Sequence, residues 1–598
     1  MKKLLLTGNE AVARGAYEAG VKFAAAYPGT PSTEILESIT QYKEVKAEWA
    51  ANEKVALEST IGASIAGARA MASMKHVGLN VASDPLMSFA YTGVTGGLVI
   101  VTADEPGQHS SQNEQDNRHY APFAKVPMLE PSNSQESKDM IKVALEISEE
   151  YDTPVLLRTT TRVCHSKSIV DCYDREEVPI VEYKKNKQKY ITVPAFAKLL
   201  RLKVEERIEK LKEYSNNTPL NFIEWNDKKI GVITAGMCFN YAKEVFGEKA
   251  SYLKLGFTYP FPDEKIKEFA SQVDKIYIIE ENDPIIEERV KILGFDCHGV
   301  DTFPPYGELT PDVIRKSIEG TTNPSLDYDK SMVVPRPPAL CAGCPHRGFF
   351  YELRKIIAKK NAVVVGDIGC YTLGMAEPYD GIDFTINMGS SYPAAHGAQT
   401  VFNMLEGNKR RVIALQGDST FFHTGISGLL STVFNKGNTI NVVLDNRATA
   451  MTGHQDNPGT GYTAAKDPTI SLDIETMVRA CGINNVISVN PNDLEAMRNA
   501  FNWALAIEDE PSVIITRWPC ALKKFTQEDR EEFEGLFSDK YEVEQEVCIG
   551  CKRCTKTGCP AIEFKTDINK SYIDYNQCVG CSVCYQVCPT GAIRKVVK

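Results

Sequence analysis

Two cysteine runs near the carboxyl end restrict the fold of this chain more than any other feature. They read Cys548-x2-Cys551-x2-Cys554-x4-Cys559-Pro and Cys578-x2-Cys581-x2-Cys584-x3-Cys588-Pro. The second has the spacing of paired [4Fe–4S] sites, and the first has one residue more before its fourth cysteine. In that arrangement the fourth cysteine of each run serves the other cluster. Cys548, Cys551, Cys554 and Cys588 are therefore expected to hold one [4Fe–4S] cluster, and Cys578, Cys581, Cys584 and Cys559 the other. Two zinc sites would also use Cys-x2-Cys pairs, but three thiols at successive two-residue gaps, ended by Cys-Pro and repeated, favour clusters. The loop Thr555–Gly558 can absorb the extra residue. Two clusters in series imply electrons handed singly to an outside carrier.

The chain is too long for one core, at 598 residues against the roughly 250–300 at which single cores stop growing. Its net charge of -11 gives no basic face for nucleic acid and no steering towards membranes. The start Met1-Lys-Lys-Leu-Leu-Leu is too short an apolar stretch for a signal peptide, and no run of roughly eighteen apolar residues follows to span a membrane. A cytoplasmic protein is expected. Clustered thiols among its 17 cysteines are then metal or cluster ligands rather than disulfides.

Residues 1–165 read as α/β. Phe23–Tyr27 is a strand ended by Pro28-Gly-Thr-Pro-Ser-Thr-Glu34, a turn with helix-start signals. Its backbone amides and the Thr30 hydroxyl suit a carboxylate, although a plainly capped helix fits the same residues. Asn52–Met71 reads as one helix, whose Gly62, Ala63, Ala66, Gly67 and Ala70 permit close packing. Glu53 at its start is either desolvated, with a raised pKa, or a solvated helix-start carboxylate. Ser83–Phe89 and Tyr91–Gly97 read as loops before a strand at Leu98. The polar segment Asp104–Tyr120 holds His109, Gln112, Asp116, Arg118 and His119, and is a functional loop or a solvated or subunit surface. Residues 166–225 read as a linker, helical over Lys198–Tyr214. A second α/β domain spans 226–325, with strands at Lys228–Gly236, Lys254–Pro262 and Lys275–Glu281 and no catalytic set. The segment Pro335–Arg347 marks another boundary, and a third α/β domain occupies 326–525. Past the charged stretch Gln527–Glu534, the cluster domain fills 540–598.

In the third α/β domain two strands end in polar residues. Val412–Gln416 leads into Gly417-Asp418-Ser419, and Thr439–Leu444 leads into Asp445-Asn446-Arg447. As neighbouring parallel strands they would present both ends to one crevice, where α/β sheets bind ligands. Asp418 offers a carboxylate and Asn446 an amide oxygen, the ligands that suit Mg2+ beside phosphates and water. Gly417 lets a diphosphate approach the backbone. For the tripeptide alone, a turn with an N-cap is the plainer reading.

Together the strand-end motifs and the cysteine runs resemble the 2-oxoacid:ferredoxin oxidoreductase family, whose thiamine diphosphate (TPP) motif is Gly-Asp-Gly or Gly-Asp-Ser with an Asn further on. Over essentially its whole length the chain is similar to the large subunits of the branch that acts on indolepyruvate. The resemblance implies a TPP pyrimidine-binding domain over 1–165, a transketolase-C-like domain over 226–325, a TPP diphosphate-binding domain over 326–525 and a ferredoxin-like domain with two [4Fe–4S] clusters over 540–598. It implies that Thr30, in Tyr27-Pro-Gly-Thr-Pro, grips the substrate carboxylate. Glu53, nine residues before Gly62, falls where the family binds the aminopyrimidine N1′, an acid–base role. Asp418, Asn446 and the Ala448 carbonyl would ligate Mg2+, with Thr452-Gly453 beside the diphosphate. There the family has Thr-Gly-Gly-Gln and this chain departs with His454. Cys341, Cys344, Cys370 and Cys520 have contexts similar to the ligands of a third [4Fe–4S] cluster near TPP, the alternative being buried thiols and a Cys-x2-Cys turn.

The implied reaction is oxidative decarboxylation of an aryl 2-oxoacid, indolepyruvate, to its acyl-CoA and CO2, with ferredoxin taking the electrons. The implied assembly is α2β2, with a smaller β subunit. Three rivals stand beside it. One is the same chemistry on phenylpyruvate or a branched-chain 2-oxoacid, another a non-oxidative TPP decarboxylase or synthase, and the last an electron-transfer subunit on a vestigial TPP fold.

Overall fold

The computed structural model describes residues 1–596 except 325, 335, 361, 408, 534, 536 and 538. Pro335 and Glu534, which bounded two expected segments, and positions 325 and 598, where two expected domains end, lie outside the described residues. The chain forms two compact units, Met1–Tyr328 and Asp329–Lys598.

The first unit is built on a seven-stranded sheet in the order Phe257–Tyr259, Met128–Leu129, Val155–Thr160, Leu98–Asp104, Ala70–Lys75, Phe23–Ala26, Lys46–Trp49. All neighbours are parallel except Phe257–Tyr259 on Met128–Leu129. Leu98–Asp104 and Val155–Thr160 are buried from end to end, as parallel strands covered on both faces are. The second sheet of this unit has the order Lys275–Ile279, Ile230–Ala235, Ser251–Leu255, Asn221–Glu224, with only the last antiparallel.

Several local expectations change. Lys254–Pro262 is not one strand but parts of two, in different sheets. The chain switches sheets at Gly256, where a Cβ would stand 2.7 Å from the Leu220 carbonyl oxygen. Asn221 Oδ1 accepts the amides of Gly256 and Phe257 there, both at 2.9 Å. The helix expected over Asn52–Met71 spans Glu53–Ile65, and Ala70–Lys75 is a strand. Gly67 ends it at φ 97, with the Val181 carbonyl oxygen 1.8 Å from where a Cβ would lie. Gly62, expected to serve close packing, has nothing within 4 Å of that position. Ser83–Thr92 is a helix rather than a loop, since Pro85 falls in its first turn, where a missing N–H is tolerated. Within 166–225, Lys167–Cys172 pairs with Lys2–Thr7, a helix runs Pro194–Asn217 and Asn221–Glu224 is a sheet edge.

The polar segment Asp104–Tyr120 turns inward at its end. Asp116 and Arg118 are buried, 2.6 Å apart. Arg118 also donates to the Glu281 and Asp283 carbonyls at 2.8 Å each. This buried cation clamps the two sheets of the first unit together, a structural role that composition alone does not separate from a functional loop.

The second unit holds a wholly parallel five-stranded sheet in the order Val363–Val365, Val412–Gly417, Ile440–Asp445, Ser512–Arg517, Asn485–Val489. Two small antiparallel pairs, Tyr541–Val543 with Ile593–Lys595 and Ile562–Lys565 with Lys570–Ile573, frame the cysteine runs. The extra residue of the first run sits in a 3-10 turn, Cys554–Thr557, closed by Gly558 at φ 63. Gln586 latches this small domain to the sheet domain. Its nitrogen donates to the Asn492 carbonyl at 2.7 Å and its oxygen accepts the Leu494 amide at 3.0 Å, where the helix Leu494–Ala506 begins.

Candidate active site

In the second unit, the adjacent parallel strands Val412–Gly417 and Ile440–Asp445 deliver Asp418 and Asn446 to the same sheet edge. Asp418, Ser419, Asn446 and Ala448 are all buried. Tyr371 packs against Gly417, where a Cβ would come 2.8 Å from its ring, so only glycine keeps the backbone open here. The helix opened by Asp418 carries a π-turn over Phe421–Gly425, a distortion frequent at functional sites.

Asp418 Oδ2 accepts the Ala448 amide at 3.1 Å and the Asn457 side chain at 3.0 Å. Its Oδ1 faces the Asn446 amide group at 3.2 Å, and the same group lies 2.8 Å from the Ala448 carbonyl oxygen. With the amide oxygen turned inward, three oxygens from Asp418, Asn446 and Ala448 converge. That arrangement is repulsive unless a hard cation lies among them, and it fits the oxygen ligands of Mg2+. With the nitrogen turned inward, the amide takes the cation's place as donor. Burial, and then the charge of Asp445, push the Asp418 carboxyl well above its usual range.

Beyond Ala448, Ser419 accepts a hydrogen bond from Thr449 at 2.9 Å. Thr452 donates to Gln455 at 2.6 Å, and Gly453 lies at φ 128. His454, the departure from Thr-Gly-Gly-Gln, lies at φ 66, a left-handed conformation that glycine adopts freely and histidine with strain. Asp367 lies outside the motifs that mark the site, and its carboxylate accepts the amides of Ile368 at 2.7 Å, Gly389 at 2.8 Å and Ser391 at 3.1 Å. It fixes the loop that carries Cys370. Its signal was present as Gly366-Asp367 at the end of an apolar strand.

Four thiols gather beside this edge. Burial pushes Cys344 far up, and the nearby thiols of Cys520 and Cys370 add to it. Burial likewise pushes Cys370 up to about 12, with Cys520 and Cys341 adding. The Cys520 amide donates to the Asn446 carbonyl at 2.9 Å, tying this group to the cation position. Thiols raised as far as those of Cys344 and Cys370 stay protonated alone, and bound iron would turn them into thiolate ligands.

In the small domain Cys548, Cys551, Cys554 and Cys588 line one cavity. The other four group separately. Burial raises Cys584, and Cys581, Cys559 and Cys578 add to the shift. Among the described residues no three His, Cys, Asp or Glu side chains close on a single metal ion.

Between this group and Cys344 lies Arg347, 2% exposed. It donates to the Cys341 carbonyl at 2.7 Å, the Tyr379 hydroxyl at 3.0 Å and the Thr557 carbonyl at 3.3 Å. Among the described residues its Nη2 has no hydrogen-bond partner. Its charge draws down both Cys344 and Cys581 against the burial that raises them.

In the first unit, Phe23–Ala26, Lys46–Trp49 and Ala70–Lys75 are adjacent and parallel. Their ends therefore bring the Thr30 turn, Glu53 and Lys75 to one edge. The helix expected to begin around Thr30 starts at Thr33, leaving Thr30 in the turn, where Ser32 Oγ donates to the Gly29 carbonyl at 2.9 Å. Glu53, 6% exposed, opens its helix behind the Asn52 cap, which accepts the Val55 amide at 2.9 Å. Its side chain occupies the space over Gly78, where a Cβ would stand 2.7 Å from Glu53 Cγ. Gly78→Ala therefore displaces this carboxylate. The expected result is a fall in turnover of about 10²-fold, the loss that a 1 Å misplacement can cause, with iron content unchanged.

Lys75 belongs to no motif, because a lone lysine at a strand end carries no signal in the sequence. It packs on Gly29, whose Cβ would be 3.1 Å from Lys75 Cγ. Among the described residues its ammonium makes only long contacts, 3.6 Å to Glu105 and 3.5 Å to the Ser110 carbonyl. Burial lowers its pKa. A half-buried ammonium so loosely held next to the Thr30 turn has donors to offer an anion.

Comparison with known families agrees with the two edges and the small domain. Residues 14–212 match the family model described as pyruvate flavodoxin/ferredoxin oxidoreductase, thiamine diP-bdg. Residues 367–516 match thiamine pyrophosphate enzyme, C-terminal TPP binding domain, and residues 571–594 match 4Fe-4S binding domain. Fold and edges thus define a subunit of a TPP-dependent 2-oxoacid:ferredoxin oxidoreductase with an iron–sulfur domain. The chain belongs to the indolepyruvate oxidoreductase subunit IorA family. It is 42% identical to the Pyrococcus horikoshii subunit of that name over 100% of this chain and 97% of that one. It is 40% identical to the Archaeoglobus fulgidus subunit, over 99% and 97%. A solved 2-oxoglutarate:ferredoxin oxidoreductase from Magnetococcus marinus aligns at 17% identity and TM-score 0.44, covering 53% of this chain and 65% of that one. Among the described residues no helix is long and apolar enough to cross a membrane.

Proposed function

We propose that the chain is the catalytic subunit for oxidative decarboxylation of an aryl 2-oxoacid, indolepyruvate, to its acyl-CoA and CO2, with electrons leaving singly to ferredoxin. The observation that carries the reading is the convergence of Asp418, Asn446 and the Ala448 carbonyl beside four gathered thiols. A bare decarboxylase needs the first and has no use for the second. The names of the relatives support indolepyruvate as substrate.

When bound, TPP supplies the electron sink for loss of CO2. The residues divide the remaining work. Asp418, Asn446 and the Ala448 carbonyl hold Mg2+ on the diphosphate, with Gly417, Ser419, Thr452 and Gly453 around it. Glu53 keeps a proton at the aminopyrimidine N1′. Thr30 and Lys75 grip the substrate carboxylate. Cys341, Cys344, Cys370 and Cys520 hold a [4Fe–4S] cluster at the TPP edge. Cys559, Cys578, Cys581 and Cys584 would hold a second cluster and Cys548, Cys551, Cys554 and Cys588 a third, which when bound would supply one-electron relays in that order outward from the TPP edge. A smaller β subunit completes an α2β2 enzyme in the cytoplasm.

The test is anaerobic reduction of ferredoxin or a viologen by a panel of 2-oxoacids, with and without CoA. Indolepyruvate is expected to give the highest kcat/KM. An active, colourless, iron-free protein would sink the reading. Reconstituted chain is expected to carry about twelve iron atoms, and Cys344→Ser about eight, the content of two [4Fe–4S] clusters. Wild-type protein with only eight would remove the cluster at the TPP edge.

A further inference from the structure

We infer that a basic groove beside the Cys548 group is the docking surface for an acidic one-electron carrier protein. The inference rests on the cluster order proposed above, in which that group is the last.

The groove, about 880 Å³, opens between the helix His346–Lys360, the start of the helix Leu494–Ala506 and the turn Cys554–Thr557. Arg354, Lys355, Lys359, Arg498, Arg553 and Lys556 line it, with Glu495 the one carboxylate among its lining residues. All of these cations except Lys355 are exposed. Behind the wall the buried Glu352 takes Lys355 at 2.7 Å and Arg498 at 3.1 Å, which leaves Arg354, Lys359, Arg553 and Lys556 without an ion pair among the described residues. In a chain of net charge -11, such a concentration of positive charge runs against the composition. Like charges on one groove repel one another, and the Glu352 pairs offset only part of that repulsion. Their field, focused by the groove walls, speeds association with an anionic partner by about 10–10³-fold.

Position selects the partner. Arg553 and Lys556 flank Cys554, and Val587 in the groove wall precedes Cys588. Cys551 is exposed, so the Cys548 group borders both the groove and the surface. A phosphorylated small molecule would answer to the charge, but only a redox protein must be brought next to this group. One electron then crosses from the reduced cluster to the oxidised centre of the carrier, with no bond formed or broken. Two carriers discharge the two electrons of each 2-oxoacid.

The experiment compares wild-type holoenzyme with Lys359→Glu/Lys556→Glu, using a purified acidic 2[4Fe–4S] ferredoxin as the probe. The expected result is a loss of about tenfold in kcat/KM for ferredoxin at low salt, mostly in KM, that closes towards wild type above about 0.5 M salt. Viologen reduction does not fall. The neutral pair Lys359→Gln/Lys556→Gln shows a smaller loss. Ferredoxin kinetics within twofold of wild type overturn the proposal, as does a rise confined to the KM for CoA. Should no 2-oxoacid support dye reduction in wild type, the proposed function fails instead. Docking is then read by calorimetric titration of oxidised ferredoxin into both proteins, where equal affinity overturns it.

Discussion

Glu53→Gln is expected to lower 2-oxoacid-dependent viologen reduction by about 10²–10⁴-fold, the range of a lost acid–base group. The change removes one ionisable proton and keeps the shape. Glu53 is 6% exposed and fills the space that Gly78 vacates, and glutamine fits the same volume. Iron content and the thermal shift on adding Mg2+ and TPP should therefore stay as in wild type, so that the fall lies in kcat. Full activity in Glu53→Gln would mean that this carboxylate plays no part, and would return catalysis to a partner subunit.

Asp418→Ala should abolish the response to cofactor rather than slow the chemistry. In wild type, Mg2+ with TPP at about 100 times Kd is expected to add roughly 2.7 kcal/mol of stability by mass action, seen as a rise in Tm. Without the Asp418 oxygens the Asn446 and Ala448 oxygens lose their charged partner, and the rise should vanish. The direction of the Asp418 shift adds a pH signature. Burial raises its pKa in the cofactor-free fold, so near-neutral and lower pH protonates it and competes with the cation. Mg2+ uptake should therefore release protons and weaken as pH falls, which calorimetry in buffers of different ionisation enthalpy measures. An unaltered thermal shift in Asp418→Ala would refute the assignment.

The sequence made some of this legible for definite physical reasons. Cysteine spacing is a local constraint, so the four thiols that line the cavity at Cys548 could be named without coordinates. Strand-end motifs are also local, and Asp418 and Asn446 do meet at one edge. Contacts that depend on two distant segments were not legible. Lys75 matters only because Gly29 lies against it, and Arg118 only because the Glu281 and Asp283 carbonyls come to it. Gly256 hid a change of sheet inside one apolar run, since both halves share the same pattern. Asp367 could have been found, for it ends an apolar strand as Asp418 nearly does, but its job is to hold backbone amides.

Arg347 bears on how the terminal domain moves. It bonds to the Cys341 carbonyl on one side and the Thr557 carbonyl on the other, while Gln586 pins the same domain to the start of the helix at Leu494. Electron tunnelling decays steeply with gap width, so a domain swinging on its tether would deliver current in bursts. On the route proposed above, Arg347 and Gln586 together would hold that gap. The small domain would then act as a soldered joint, with the shuttling left to the carrier.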